Sequence, residues 1–181
     1  MNPPACYPGT RVPISATGLL EGIFTATNGI TLSQVCEITG LEASTVQNWI
    51  KRGYVNPPVG RKYSRNQLGR IILINLLRDT FVIERIARLI SYVNGNLLDR
   101  SDDIMDDGDI YQCLCDILIT PEKKVIVCED NLAQKVDERL KSFQEPFPGA
   151  KERLKLILEA LVYASISVEF KKAATQLTER I

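Results

Sequence analysis

The sequence predicts an all-α fold with a small β wing. Three observations lead there. Capping signals recur ahead of apolar runs at helical spacing. Two very short helices are joined through a glycine-containing turn, the helix-turn-helix unit. A single Asn56-Pro57-Pro58-Val59-Gly60 stretch, which cannot be helical, leads into a brief run suited to a β-ribbon. The same pattern divides the chain into an N-terminal arm with a short helix (1–29), a winged helix-turn-helix (30–95) and a helical C-terminal domain for oligomerisation or effector binding (96–181).

Element by element, Pro3, Pro4, Pro8 and Pro13 predict an extended arm without regular structure. Ser15 to Asn28 suits a short helix with Leu19, Leu20, Ile23 and Phe24 on one side, weakened by Gly18 and Gly22 and ended by Gly29. Thr31 and Gln34 form a capping box for the next helix, which buries Leu32, Val35 and Ile38 and closes at Gly40. The following helix turns Val46, Trp49 and Ile50 inward and stops at Gly53; Trp49 reads as core rather than as a stacking platform. Arg61-Lys62-Tyr63 makes the wing. Ser64 with Gln67 opens a helix through Leu68, Ile71, Ile72, Leu73, Ile74, Leu76 and Leu77, apolar on so many sides that it belongs between two parts of the molecule. Val82, Ile86, Leu89, Ile90 and Val93 mark an amphipathic helix stopped by Asn94-Gly95.

An acidic, solvated loop to Gly108 follows, capping the next helix. Helices are predicted over 109–119 and 121–143, with Pro146 and Pro148 breaking the chain, and a last helix over about 150–180. There Leu154, Leu161 and Val168 are seven apart with Ile157 and Ala164 between. Two heptads are too few for a coiled coil, so this seam is expected to be an internal core face.

Composition narrows the function. Hydrophobic residues make 45% of the chain and charged ones 24%, the balance of a globular protein rather than a disordered one. No apolar run reaches the ~18 residues of a membrane span, and the N-terminus lacks the pattern of a secretion signal. Five scattered cysteines fit a reducing compartment, so a cytoplasmic location without membrane contact is expected. The chain has no histidine, which removes Ser-His-Asp and Cys-His catalysis and most zinc sites. Neutral overall, the chain is polarised along its length. Residues 51–88 carry nine Lys/Arg against two acids, and residues 89–148 carry six against thirteen. A net +7 block beside a net −7 block suits a surface that meets a polyanion next to one that does not, or simply two solvated faces.

Other chemistry is weaker. Asp102, Asp103, Asp106, Asp107 and Asp109 invite a calcium loop, but a pattern anchored at Asp103 requires oxygen ligands where Met105 and Leu114 stand. Cys113 and Cys115 point to nearly opposite helix faces and read as core, as do Cys36 and Cys128. Nothing places two carboxylates in one cleft, and no phosphate-cradling glycine loop occurs. No enzyme, cofactor or metal is expected.

Residues 31–93 resemble the DNA-binding domain of the MerR family. The correspondence rests on the ordered elements TLSQVCEITG, STVQNWIKRGYV, the wing RKYS and NQLGRIILINLLRDTFVIERIARLI, with Thr39-Gly40, Lys51-Arg52-Gly53, Arg61/Tyr63, Arg70 and Arg78 at the family's characteristic places. Beyond it, the RSDDIMDDG stretch looks like an uncharacterised bacterial family of unknown function that carries a MerR-like module. The resemblance implies sequence-specific recognition of double-stranded DNA, as a homodimeric transcriptional regulator that can answer to an unknown small-molecule effector. Its second helix would enter the major groove.

With Val46, Trp49 and Ile50 inward, helical spacing leaves Ser44, Thr45, Gln47, Asn48 and Lys51 outward as DNA-contacting candidates. Gln47 and Asn48 can each pair with adenine. Ser44 and Gln47 can equally cap their own helix as Ser-x-x-Gln. Arg61, Lys62 and Tyr63 would hold phosphates or a flanking minor groove, and Arg65 and Arg70 extend the basic strip. Ser44, Asn48 and Ile50 depart from the Arg, Tyr and Glu common in the family, so its usual phosphate contacts from that helix do not transfer. The alternative is a protein-interaction or ligand-sensing helical module that keeps only the helix-turn-helix shape.

Overall fold

Two reciprocal capping boxes set the starts of two of the helices. The computed structural model describes residues 6–14, 24, 27–95, 103–119 and 131–179. In it, the Gln34 amide N–H reaches Thr31 Oγ1 (3.4 Å) and Gln34 Oε1 accepts from Thr31 N–H (2.9 Å), opening α1, Leu32–Thr39. Gly40, at φ +72°, ends α1 with its N–H on the Cys36 carbonyl. Ser64 and Gln67 repeat the device at 2.8 and 3.2 Å and open α3, Arg65–Leu77. Between them lies α2, Ala43–Lys51. It starts from Glu42 with no side-chain cap, so the Ser44–Gln47 capping alternative is not the one adopted.

The remaining helices are α4 (Ile83–Asn94), α5 (Asp107–Leu118), α6 (Leu132–Arg139) and α7 (Ala150–Thr178). The described residues are therefore mostly helical, and no helix among them is long and apolar enough to cross a membrane.

Several expectations are corrected. No β wing of paired strands forms among the described residues. Val59 and Lys62 exchange backbone hydrogen bonds (3.2 and 3.0 Å) around Gly60 and Arg61, both at positive φ as a type I′ turn requires, and Tyr63 bridges back to Ile30. Pro3 and Pro4 lie outside the described residues, but residues 6–14 of the proline-rich start are not an extended arm. Cys6 bridges to Pro13, and the loop is pinned by Tyr111 Oη on the Pro8 carbonyl (2.9 Å) and Asn75 Nδ2 on the Gly9 carbonyl (2.9 Å). Proline excluded helix there, but the backbone carbonyls still found donors. The helix expected over 121–143 is described only from residue 131, and it ends at Arg139, before Phe143. Almost all of the expected helix over 15–28 lies outside the described residues, as do Asp102 and Cys128.

The helix expected to lie between two parts of the molecule does so. Nine of the thirteen residues of α3 are buried, and α5 crosses it more closely than any other helix. That closeness depends on Gly69 and Gly108, because a Cβ on Gly69 would lie 2.7 Å from the backbone of Gly108. A single hydrophobic core runs from Val12 through α1–α5 to α7, so packing is continuous across the expected boundary at 95/96. Each Leu or Ile that it removes from water contributes about 1.5–3 kcal/mol. The inner seam of α7 is buried as expected, with Leu154, Ile157, Leu161, Ala164 and Val168 all facing the core.

Candidate nucleic-acid interface

α2 is held by Val46 (0% exposed) and Trp49 (6%), which fix its orientation and turn the opposite face to solvent. Ser44, Gln47, Asn48 and Lys51 are exposed and Thr45 half-buried. None of these five side chains has a hydrogen-bonding or ionic partner among the described residues. Polar groups so placed are available to an external ligand without first breaking an internal contact. Lys51 also lies in the last turn, where a cation complements the helix dipole.

The residue after α2 is fixed. Arg52 Nη2 lies 2.8 Å from Glu84 Oε1 and 2.9 Å from the Tyr54 hydroxyl, with the guanidinium 4.8 Å from the Tyr54 ring centre. The Tyr54 hydroxyl also donates to Glu84 (3.1 Å). Glu84's own backbone N–H and the Tyr54 hydroxyl hold its carboxyl below the usual range. The triad ties the end of α2 to the start of α4. It sets where the exposed face points and leaves Arg52 less free than Lys51.

The sequence-derived cations divide. Arg61 and Lys62, on the turn, are exposed and unpaired among the described residues. Arg65 is half-buried, its Nη1 2.6 Å from Asp109 Oδ1. Arg70 is 6% exposed, with its Nε 2.6 Å from Asp107 Oδ2, so it faces the core and leaves the proposed strip. Tyr63 leaves it as well. Its backbone pairs with Ile30, the ring is turned inward to 3% exposure, and burial raises its hydroxyl pKa.

Asp107 is not part of a solvated loop either: it is buried and also accepts from Asn94 Nδ2 (3.0 Å). The acidic block thus neutralises part of the basic one inside the fold. Nothing local announced these pairs, whose members are 37 and 44 residues apart. Arg78 and Arg88 are likewise exposed and unpaired among the described residues.

Of the cysteines assigned to the core, Cys113 and Cys115 are buried, whereas Cys36 is only half-buried. Beside the turn lies a cleft of about 530 Å³ with Lys62, Arg65, Asn66, Asn94, Asp103 and Asp107 on its walls. Cationic and anionic groups are balanced there, so it is a polar cleft rather than an anion site.

The family model described as "Domain of unknown function (DUF1836)" matches residues 21–113, a stretch that takes in α1 to α4 and the beginning of α5. A Bacillus subtilis (strain 168) protein, "Uncharacterized protein YkrK", is 27% identical over 166 residues, covering 84% of this chain and 70% of its own length. No solved structure matches the chain.

Proposed function

The chain belongs to the family described as Domain of unknown function (DUF1836), and we propose that it is a sequence-specific DNA-binding transcriptional regulator of the bacterial cytoplasm. The observation that carries this reading is the outward face of α2, where Ser44, Thr45, Gln47, Asn48 and Lys51 stand without internal partners on a helix anchored by Val46 and Trp49. Short amide and hydroxyl side chains on such a face suit base edges, and Gln47 and Asn48 each suit adenine at about 1–3 kcal/mol of discrimination. The turn at Arg61 and Lys62 serves as a minimal wing on phosphate. In this reading the MerR-like winged helix-turn-helix is the DNA-reading unit, and the protein acts as a homodimer on a near-palindrome with half-sites ~34 Å apart.

Fluorescence anisotropy with selected fragments from a random DNA library tests it. Lys51, Arg61 and Lys62 supply three phosphate contacts and Arg78 and Arg88 up to two more. Log affinity should then fall with log salt at a slope between about −2.7 and −4.5 per bound copy. Arg61→Ala should reduce that slope by about one, uniformly across sequences, while Gln47→Ala should relax preference at one position. Absence of selective binding even at low salt overturns the reading in favour of a protein-interaction module.

The polar cleft supports a second element, a small-molecule effector site. Its volume falls within the ~300–1,000 Å³ range of ligand pockets. Ligand-dependent change in the melting temperature of the free protein would reveal it.

A further inference from the structure

α7 has a second face. Leu156, Tyr163, Phe170 and Leu177 are 56%, 51%, 56% and 61% exposed, and they stand seven residues apart along one helix. They are four of the seven large apolar side chains exposed among the described residues. Ala160, Ser167 and Ala174 lie four residues after the first three, also seven apart. Single exposed apolar residues are ordinary, but a row at strict heptad spacing is the seam of a coiled coil. The last turns sharpen the point. Every residue from Lys171 to Glu179 is exposed, so this end of the helix buries no side chain against its own body, and weakly supported helix ends are marginal in water.

We infer that this outer face of α7 is a self-association seam that takes a second copy of the same chain in antiparallel orientation. The occupant is fixed by shape. With large residues at one heptad position and small ones at the other, the complement of the seam is the seam itself, reversed. A two-fold axis level with Ser165 sets Leu156 against Ala174 of the second copy, Tyr163 against Ser167, and Phe170 against Ala160, and each contact recurs by symmetry. A parallel pair would set large against large and small against small. Ser167 also lies 3.3 Å (Oγ to Oγ1) from Thr80, which seats the middle of the seam beside the α3–α4 turn.

The area is sufficient. Half-exposed side chains of this size offer on the order of 100 Å² each, so the four give about 400 Å² of apolar surface per copy. A standard homodimer needs about 800 Å² per partner at roughly 65% apolar, or about 520 Å². Ala160, Ala173, Ala174 and the stems of Lys171 and Lys172 supply the difference.

The inference gives the homodimer a surface without resting on DNA binding, and salt separates the two. An apolar seam holds at high ionic strength, where DNA affinity is lost. Sedimentation equilibrium of the full chain in high salt is expected to show a dimer. Tyr163→Glu and Phe170→Glu, which set a carboxylate against Ser167 and Ala160 of the second copy, are each expected to give a monomer with an unchanged far-ultraviolet circular dichroism spectrum. Leu156→Ala and Ala174→Leu are each expected to weaken the dimer about tenfold, and combining them should restore it, because they face one another only in the antiparallel register. A wild-type monomer at roughly 100 μM overturns the proposal. So does a dimer that survives both Glu variants, or a double variant no tighter than its parents.

Discussion

Arg70 and Asp107 show how a single residue can change its role between sequence and structure. In the sequence Arg70 is one of nine cations in a basic block; in the fold its guanidinium is enclosed with Asp107, and Asn94 satisfies the other carboxylate oxygen. Removing one partner strands a buried charge. Arg70→Ala is expected to cost about 3–5 kcal/mol, read from urea denaturation, whereas Arg70→Met combined with Asp107→Leu should recover only part of that loss, because the buried Asn94 amide then lacks its acceptor. Arg61 presents the opposite case. It is exposed and unpaired, yet holds φ +62°, where a side chain costs about 1 kcal/mol relative to glycine. Arg61→Gly is expected to raise stability by up to about 1 kcal/mol while lowering the salt slope of DNA binding by about one. A stability loss on that substitution would show that the side chain serves the fold instead.

At the scale of elements, the crossing of α3 and α5 sets the geometry around the candidate site. Gly69 and Gly108 bring the two backbones together, and Arg65–Asp109 and Arg70–Asp107 brace the crossing. Glycine to alanine inside a helix ordinarily stabilises by about 0.5–1 kcal/mol. Here the added carbon would meet the Gly108 backbone at 2.7 Å, so Gly69→Ala is expected to destabilise by about 1–3 kcal/mol, with the urea midpoint giving the sign. The starts of α1 and α3 were legible because a capping box is written within four residues. The outward face of α2 was legible for a similar reason, since helical spacing around Val46 and Trp49 determines it. Gly69 carried no such signal, because its partner is 39 residues away and only the crossing makes its missing side chain matter.

For the whole molecule, one core extends across residues that the sequence divided into two domains. Unfolding is therefore expected to be a single cooperative transition. Fluorescence of Trp49, in the first half, should follow the same urea curve as circular dichroism of all the helices, and separated midpoints would indicate two independent units. The core also sets an alkaline limit. Burial pushes the Cys115 thiol from 9.0 up to about 12 and raises Tyr111 well above its ordinary value. A folded-state pKa above the unfolded one means that the unfolded chain gives up its proton first. Stability from Cys115 should thus be intact below about pH 9 and decline as pH rises from there towards 12, a trend that urea midpoints at pH 7, 9 and 10.5 would measure.

What the sequence determined by itself was local: where helices start, where glycine and proline end them, and which side of α2 faces water. Those features depend on neighbours within about one turn, which the linear order contains. The heptad spacing of Leu154, Leu161 and Val168 also marked the inner seam of α7. Tertiary structure alone decided that the second row, Leu156, Tyr163 and Phe170, remains in water. It likewise decided which cations are spent on Asp107 and Asp109 and which remain for an external partner. Burial and ion pairing are properties of what lies across a contact, and here the opposite side comes from dozens of residues away along the chain.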